Sequence, residues 1–144
     1  TETCMLLGEE CPPVMSVAQA RSWLARLSDK PGIVVIKGVP LIDDDGQKLS
    51  NVGFDKESGS FWRIDWDHIP VHYPGTGDIF TSVLTASLLK GESLPIALNR
   101  ATTFTEIAVK TTYSYGTEPR LGVLFEDCLS WLMTNTVLCD YRKL

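Results

Sequence analysis

The chain has 144 residues, of which 44% are hydrophobic and 22% charged, and this composition is typical of one folded domain over residues 1–144. The formal net charge of -5 argues against nucleic-acid and anionic-membrane partners, because both are bound through clustered Lys and Arg. No apolar run approaches the roughly 20 residues that span a bilayer, and the first residues lack the basic and apolar segments of a secretion signal. We therefore expect a cytoplasmic protein with neither kind of partner.

The cysteines do not form a pattern that indicates a metal site. No two of them are spaced as a CxxC pair, and no histidine pair at zinc-ligand spacing accompanies them. Cysteines of cytoplasmic proteins usually stay reduced. We expect small buried side chains or unreactive thiols at Cys4, Cys11, Cys128 and Cys139.

The first third of the chain is predicted to contain two helices and a strand. Residues 1–8 read as the first turns of a helix. A second helix is expected over Ser16–Leu27, with Ser16 as its cap and apolar residues at helical spacing along one side. Residues 32–39 form a β-branched apolar run between glycines, which is typical of a strand buried on both faces of a parallel sheet.

Two further strands are predicted to form an antiparallel hairpin. They cover Lys48–Asp55 and Ser60–Asp65, and residues 56–59 between them carry a turn signal. Residues 43–46, Asp-Asp-Asp-Gly, form a polar turn before the hairpin. A calcium loop would need ligands spread over about twelve positions and ending in Glu, and this pattern does not follow. We therefore interpret residues 43–46 as a solvated turn.

The rest of the chain is predicted to be mainly helical. Residues 78–90 carry apolar side chains on two adjoining stripes, so we expect a largely buried helix that ends before Gly91. Ser93 caps another helix that continues to Gly116, and a last helix is expected from about Arg120 to Leu132. The sequence contains only one clear parallel strand, and this is too little sheet for the apolar faces of the predicted helices to pack against. We therefore expect further elements upstream.

The most informative segment is a glycine-rich turn that leads directly into the helix predicted over residues 78–90. Gly75 and Gly77 permit backbone conformations closed to other residues, so that consecutive N–H groups, with Thr76 between, can converge on one anion. The helix start adds its partial positive charge. Gly75, Thr76 and Gly77 are therefore predicted to hold a phosphoryl group during its transfer.

Asp78 follows in the first turn of that helix, where the helix dipole favours the ionised carboxylate. A carboxylate beside a phosphate pocket can accept the proton of an attacking hydroxyl during in-line phosphoryl transfer. The same residue can also serve only as a helix cap after a glycine-rich loop. The tetrapeptide by itself leaves both interpretations open.

Other residues also have two interpretations. Lys37 at the end of the predicted strand can contact a phosphate or extend its charge to solvent. His68 and His72 have no partner at metal-ligand spacing and are expected to be structural, although His72 could border a nucleotide. Clustered aromatic residues near the hairpin could stack on adenine, but packing is their commoner role. These aromatic residues are Phe61, Trp62, Trp66 and Tyr73.

The motif Gly75-Thr76-Gly77-Asp78, followed by an apolar helix, resembles the carboxyl-terminal signature of the ribokinase-like superfamily. The Thr at position 76, in place of the commoner Ala, is similar to the residue that pyridoxal kinases have there. Residues 2–8 resemble the continuation of the family's Thr-Pro-Asn-x-x-Glu segment, in which Glu2 would be the Glu. Residues 93–98 and 120–126 are similar to the family's closing helices.

The strand over residues 33–39 resembles the family strand whose end faces the nucleotide. It carries Lys37 and Gly38 where pyridoxal kinases usually have Thr-Ser and hydroxymethylpyrimidine kinases often have Lys-Gly. The resemblance therefore implies nucleotide binding by these two residues and leaves two vitamin substrates open.

The resemblance implies an α/β fold, a three-layer doubly wound ribokinase-like sheet, of which this chain would form the carboxyl-terminal half. It implies ATP and Mg2+ as cofactors, Asp78 as the catalytic base, residues 75–77 as the anion pocket, and Glu2 as an indirect magnesium ligand that acts through water. A small-molecule vitamin is the implied substrate, and a homodimer is implied for the full-length protein.

We expect the reaction to be ATP-dependent phosphorylation of the hydroxymethyl group of a B6 vitamer, namely pyridoxal, pyridoxamine or pyridoxine. One alternative keeps the mechanism and changes the substrate to hydroxymethylpyrimidine or another small alcohol. The other alternative is a catalytically silent ribokinase-like fragment that acts as a binding module.

Overall fold

The computed structural model describes residues 2–67, 69, 71–134 and 140–144. The chain forms two compact units, one of residues 1–65 with residues 140–144 and the other of residues 66–139. Within the described ranges, no helix is both long enough and apolar enough to cross a membrane.

Unit one begins with two helices, as the sequence predicts. Helix α1 covers Glu2–Leu7 and ends where Gly8 takes a positive φ of 67°. Helix α2 covers Val17–Leu27, and the hydroxyl of Ser16 caps it by accepting a hydrogen bond from the Gln19 N–H at 3.2 Å. The apolar side of α2 is buried, because the helical spacing of its apolar residues places them on one stripe.

The described residues of this unit form a five-stranded mixed sheet with strands in the order β1-β2-β3-β4-β5. Strand β1 pairs parallel with β2, and the remaining neighbours pair antiparallel. The hairpin turn at residues 56–59 lies between β3 and β4, as predicted. The strands are β1 Met15–Ser16, β2 Ile33–Asp43, β3 Gly46–Asp55, β4 Ser60–Asp65 and β5 Arg142–Lys143.

The prediction for residues 32–39 is wrong in its details. Strand β2 continues past Val39 to Asp43, because its second half pairs with β3 across the turn at residues 43–46. Its parallel pairing with β1 is confined to Leu41 and Ile42. Ile33 is 39% exposed, so the strand is not buried on both faces in this part of the chain.

The core of unit one lies between α2 and the sheet. Trp23 and Leu24 of α2 pack with buried side chains of β2 and β3. Fully or nearly buried members of this cluster are Ala20, Trp23, Leu24, Val39, Leu41 and Val52.

A carboxylate cluster connects the last strand to this sheet. Arg63 is buried and pairs with Asp43 at 2.5 Å and with Asp65 at 3.2 Å. Arg142, from β5, also reaches Asp65 at 2.6 Å. Burial of an arginine is tolerated only when its charge is paired, so these aspartates fix the position of Arg63.

Unit two is built on two helices that pack against each other, α3 over Thr76–Leu89 and α4 over Leu94–Tyr115. Ser93 is the residue before α4, Pro95 lies in its first turn, and Gly116 ends it in the left-handed conformation, as predicted. The buried side chains of α3 and α4 include Phe80, Val83, Leu84, Leu98, Ala101 and Phe104.

Two helical predictions are wrong. Helix α3 is not largely buried: Leu89 is 84% exposed, and Ala86 is exposed as well. The helix expected from Arg120 to Leu132 is broken into 3-10 turns at Pro119–Leu121 and Glu126–Cys128 and a short α5 at Leu129–Leu132. Gly122, with φ 80° and ψ -164°, has a conformation that no helix contains.

The expectation of unpaired cysteines is wrong for two of them. Cys4 and Cys11 form a disulfide with a Cα–Cα distance of 5.5 Å. The chain reverses after α1, where the Glu9 N–H donates to the Cys4 carbonyl oxygen at 3.0 Å, and this reversal brings the two residues together. Cys128 is free and buried, whereas Cys139 lies outside the described residues.

Candidate functional site

The glycine-rich turn places Gly75 as the N-cap of α3 in the left-handed conformation, with φ 88° and ψ -10°. Such a φ favours glycine, because a side chain would crowd the backbone. The carbonyl oxygen of Gly75 accepts hydrogen bonds from the N–H groups of Asp78 at 3.1 Å and Ile79 at 3.0 Å. The hydroxyl of Thr76 donates to the Tyr73 carbonyl oxygen at 3.2 Å, which holds the turn from its other side.

Gly77 does not have the special conformation that the sequence suggests. It is the second residue of α3 and is therefore helical. The N–H groups of Thr76 and Gly77 precede the first donors bound within the helix, and an α-helix offers such groups no internal acceptor. The start of α3 can thus present backbone donors and partial positive charge to an anion.

Asp78 is the third residue of α3, and its side chain is exposed. It lines a cavity of about 800 Å3 together with Pro74 and Gly75 at the helix start. The walls come from α3, α4 and the segment after α4, and they include Ile79, Val83, Phe104, Leu121, Val123 and Leu129. A carboxylate at the mouth of a partly apolar cavity, beside helix-start N–H groups, can take a proton from a bound hydroxyl.

A paired arginine also lines this cavity. Arg100 binds both carboxylate oxygens of Glu92, with distances of 3.2 Å from Nε to Oε2 and 2.9 Å from Nη2 to Oε1. Because the pair is bidentate and mostly buried, it closes the cavity wall and leaves little positive charge for a ligand.

The other predicted site residues are in unit one, where the structure brings them together. Glu2, Lys37 and Gly38 all line one cavity of about 770 Å3. A hydrogen bond from its own backbone is the main cause that lowers the pKa of Glu2, and the positive charge of Lys37 acts in the same direction. Glu2 therefore keeps an ionised carboxylate, which is the hard oxygen donor that suits Mg2+ or its waters.

Lys37 and Gly38 form a β-bulge inside β2. The register with β3 shifts between Ile36 and Val39, and these two residues occupy the shift. Gly38 has φ 62°, and its N–H donates to the side-chain oxygen of Asn51 at 2.9 Å. Bulges reorient side chains, and here the bulge places Lys37 on the exposed surface of the cavity.

The aromatic residues of the hairpin pack within unit one. Phe61 stacks on Phe54 with ring centroids 4.2 Å apart, and the Arg21 guanidinium lies 4.5 Å from the centre of the Phe61 ring. Trp62 contacts Tyr141 edge-on, and the Nζ atom of Lys143 lies 3.8 Å from the centre of the Trp62 ring. Packing therefore occupies Phe61 and Trp62.

His72 is exposed, and it is absent from the described residues that line either of the two cavities. His68 falls outside the described residues.

Three further residues support the candidate sites, and sequence reasoning missed them. Asn51 holds the bulge, Gly122 lies close to the turn before α3, and Thr112 binds the segment that contains Gly122. Each acts through a contact with a residue distant in the sequence, so no local pattern points to it.

The sequence model of the phosphomethylpyrimidine kinase family matches residues 1–121, which is most of the chain. The chain therefore belongs to the phosphomethylpyrimidine kinase family. No curated protein matches the sequence.

Solved structures of related kinases superpose well on this chain. A Bacteroides thetaiotaomicron protein named as a putative phosphomethylpyrimidine kinase gives a TM-score of 0.92 at 36% identity, over 100% of this chain and 49% of its own. An orthorhombic crystal form of this putative kinase, with pyridoxal, gives a TM-score of 0.90 at 36% identity, over 100% of this chain and 50% of its own. Pyridoxal kinase from Lactobacillus plantarum gives a TM-score of 0.76 at 26% identity, over 92% of this chain and 46% of its own.

A more distant neighbour, pyridoxal kinase from Leishmania donovani in complex with ADP, gives 0.72 at 21% identity, over 99% of this chain and 48% of its own, and indicates the fold alone. The chain thus spans about half the length of the structures that it matches. The expected α/β fold class, a ribokinase-like fold represented by half of its length, is confirmed.

Proposed function

We propose that this chain supplies the ATP-side, phosphoryl-transfer half of a kinase that phosphorylates the hydroxymethyl group of a B6 vitamer. The observation that carries the proposal is the start of α3, where a left-handed Gly75 precedes the first N–H groups of the helix and an exposed Asp78. Membership of a vitamin kinase family supports the reaction class.

Asp78 is the proposed base. Its carboxylate lines the cavity beside Gly75, and it would accept the proton of the substrate hydroxyl as that oxygen attacks the terminal phosphorus of ATP. The bond from this phosphorus to the bridging oxygen breaks in the same step, and ADP leaves. The N–H groups of residues 76 and 77, with the dipole of α3, would stabilise the negative charge on the transferring phosphoryl oxygens. Gly75 provides the turn that orients them.

Lys37, Gly38 and Glu2 are proposed to serve the nucleotide and its metal. Lys37 would place a positive charge near the phosphates, and Gly38 would let the backbone approach them closely. The ionised carboxylate of Glu2 is suited to bind Mg2+ indirectly, through a water molecule. When bound, Mg2+ neutralises charge on the ATP phosphates. Membership of a kinase family supports ATP as the phosphoryl donor.

The substrate could instead be hydroxymethylpyrimidine, with the same mechanism. Pyridoxal in a crystal form of the Bacteroides thetaiotaomicron relative supports a B6 vitamer. The Lys37-Gly38 pair and the family description support the pyrimidine. Phosphorylation of the two compounds, compared at equal concentrations in the native protein that carries this sequence, distinguishes them.

A silent binding module is the second candidate function, and one observation favours it: the chain spans about half the length of the kinases that it matches. This candidate predicts no phosphoryl transfer from ATP to either vitamin, even at saturating Mg2+ and substrate. It also predicts that nucleotide or vitamin binding persists without turnover.

Asp78→Asn tests the proposed base. The amide keeps the size of the side chain but cannot accept the proton, so we expect kcat to fall by about a hundredfold or more, with the fold retained. The measurement is ATP-dependent phosphorylation of pyridoxal by the native protein and by the variant, with circular dichroism to check folding.

Asp127→Asn is the matched control, because Asp127 is another exposed aspartate of unit two and does not line the cavity around Asp78. It makes the same change of charge and should leave kcat near the native value. Near-native turnover by a folded Asp78→Asn variant would refute the role of Asp78 as the base.

A further inference from the structure

We propose that residues 121–125, here called the bracing segment, position the turn at the start of α3, with Gly122 and Thr112 as the positioning residues. The catalytic meaning of this proposal rests on the proposed function, whereas its structural part does not. Residues 122–125 lie just beyond the region matched by the family model.

Gly122 brings the bracing segment against the turn. Its N–H donates to the Pro119 carbonyl oxygen at 3.1 Å, which closes a tight turn. A Cβ atom added to Gly122 would lie 3.3 Å from the carbonyl oxygen of Pro74, the residue that precedes the N-cap of α3. Its φ of 80° with ψ of -164° is almost restricted to glycine. The conformation therefore favours glycine, and a Cβ at this position would also require Pro74 to shift by a few tenths of an ångström.

Thr112 fastens the bracing segment to α4. Its side chain is fully buried, and its hydroxyl accepts a hydrogen bond from the Leu124 N–H at 2.8 Å. The same hydroxyl donates to the Ala108 carbonyl oxygen at 2.7 Å. A hydroxyl that both donates and accepts in a buried place has a defined orientation, so it fixes the position of Leu124 along α4.

The bracing segment also forms part of the wall of the cavity that contains Asp78. Leu121, Gly122 and Val123 line this cavity with Gly75 and Asp78. Val123 is only 9% exposed, whereas Leu121 is 73% exposed, so the segment is anchored at Val123. The segment and the turn therefore line one cavity.

The turn needs such support, because a left-handed glycine is free to change conformation. Among the described residues, none beyond its chain neighbours lies within 4 Å of the place where a Cβ of Gly75 would be. The Thr76 hydroxyl and the Gly75 carbonyl oxygen provide the local bonds of the turn. In this proposal, the close approach of the Gly122 backbone to the Pro74 carbonyl oxygen limits the movement that these bonds allow and so keeps the N–H groups of residues 76 and 77 in place.

Thr112→Val tests the structural part of this proposal by native-state hydrogen exchange of the native protein that carries this sequence. Valine keeps the shape of threonine but removes the acceptor of the Leu124 N–H. We expect exchange at the Asp78 and Ile79 amides to become about fivefold faster, which corresponds to the loss of one hydrogen bond. The Lys90 and Gly91 amides, at the other end of α3, should keep their native rates.

Two controls isolate the hydroxyl. Thr112→Ser keeps the hydroxyl and should restore native exchange at Asp78 and Ile79. Thr105→Val removes a hydroxyl of α4 that donates to the Ala101 carbonyl oxygen of the same helix, and it should leave these amides unchanged. Equal acceleration at Lys90 and Gly91, or no acceleration at Asp78 and Ile79, would overturn the proposal.

Gly122→Ala gives a second measurement, with Gly116→Ala as its control, because Gly116 has φ 64° but open space around it among the described residues. We expect faster exchange at Asp78 in the first variant only; equal effects of the two would overturn the proposal.

Kinetics extend the test to the proposed function. In the native kinase, Thr112→Val should lower kcat severalfold and leave KM for the vitamin unchanged, because the vitamin itself does not contact Thr112 in this proposal. Absence of turnover in the native protein would refute the proposed function, while the exchange results would still decide the role of the bracing segment.

Discussion

Arg63 is a buried charged residue in the sheet of unit one. Its side chain is 4% exposed, and it pairs with Asp43 and Asp65. The hydrogen bond from Arg63 is the main cause that lowers the pKa of Asp43 below its ordinary value of 3.8. A buried arginine that loses one of its two carboxylate partners has a less fully compensated charge, so Asp43 should contribute to the stability of the fold.

Asp43→Asn should therefore destabilise the protein in a pH-dependent manner. A carboxylate with a lowered folded-state pKa stabilises the fold above its ordinary pKa, and this stabilisation is lost as the pH falls through the lower value. We expect the native chain to exceed the variant in free energy of unfolding at neutral pH, with a smaller difference at about pH 3. Urea denaturation at both pH values measures it.

Asp44→Asn is the control for this prediction, because Asp44 lies in the same turn and is exposed. Asparagine at position 43 can still accept the Asp45 N–H, so the turn itself is retained. A difference for Asp43→Asn that stays constant with pH would contradict the assignment of its effect to the carboxylate charge.

At the residue scale, the sequence predicts local turns and helix starts better than it predicts which distant residues are neighbours. The Gly75–Asp78 motif is local, and the structure has the turn and helix start that the motif indicates. The pairing of Cys4 with Cys11 is not predictable in this way, since a spacing of seven residues does not reveal the chain reversal after α1. The helical conformation of Gly77 is equally hidden, because glycine tolerates many conformations and so indicates none.

Helix caps provide a prediction at the scale of elements. Ser16 and Ser93 both precede helices, but only the Ser16 hydroxyl accepts a backbone hydrogen bond within the helix that it caps. Ser16→Ala should lower the free energy of unfolding by about 1 kcal/mol. Ser93→Ala should lower the free energy of unfolding by clearly less. Urea denaturation compares the two variants, and equal losses would contradict the structural difference between the caps.

The Cys4–Cys11 bond tethers α1 to the segment before β1. A disulfide that closes a loop of this size should contribute roughly 2–3 kcal/mol to the free energy of unfolding. We expect dithiothreitol to lower the stability of the native chain by about this amount. The Cys4→Ser/Cys11→Ser double variant is the control: its stability should be low from the start and insensitive to the reductant.

Elements with local signals are predicted well, and elements that depend on distant contacts are not. The cap of α2, the turn at residues 56–59 and Gly116 after α4 carry recognisable residues at fixed offsets, and all three occur. The helix expected after residue 120 is broken where Thr112, in α4, binds the Leu124 N–H. Strand β2 is longer than expected because β3 pairs along both of its halves.

At the scale of the whole molecule, the last residues complete the sheet of unit one. Strand β5 pairs with β4, the Leu144 N–H donates to the Phe61 carbonyl oxygen at 3.2 Å, and the Leu144 side chain is buried. Deletion of residues 140–144 should lower the free energy of unfolding by roughly 2 kcal/mol through Leu144 alone, and should expose the edge of β4 to aggregation.

Urea denaturation and light scattering check this deletion. Lys143→Ala is the control, since it removes the contacts of the Lys143 side chain with Trp62 and the Ser60 hydroxyl and leaves the strand in place. Unchanged stability of the truncated chain would show that β5 contributes nothing to the sheet.

The return of the chain to unit one also determines how the protein responds to cleavage. Unit one consists of two stretches of sequence, and unit two is the insertion between them. A single protease cut between residues 65 and 66 would therefore leave β5 covalently attached to the fragment that contains unit two. The two pieces should co-elute under native conditions and separate only in denaturant, so a nicked preparation could be mistaken for intact protein unless it is analysed by mass.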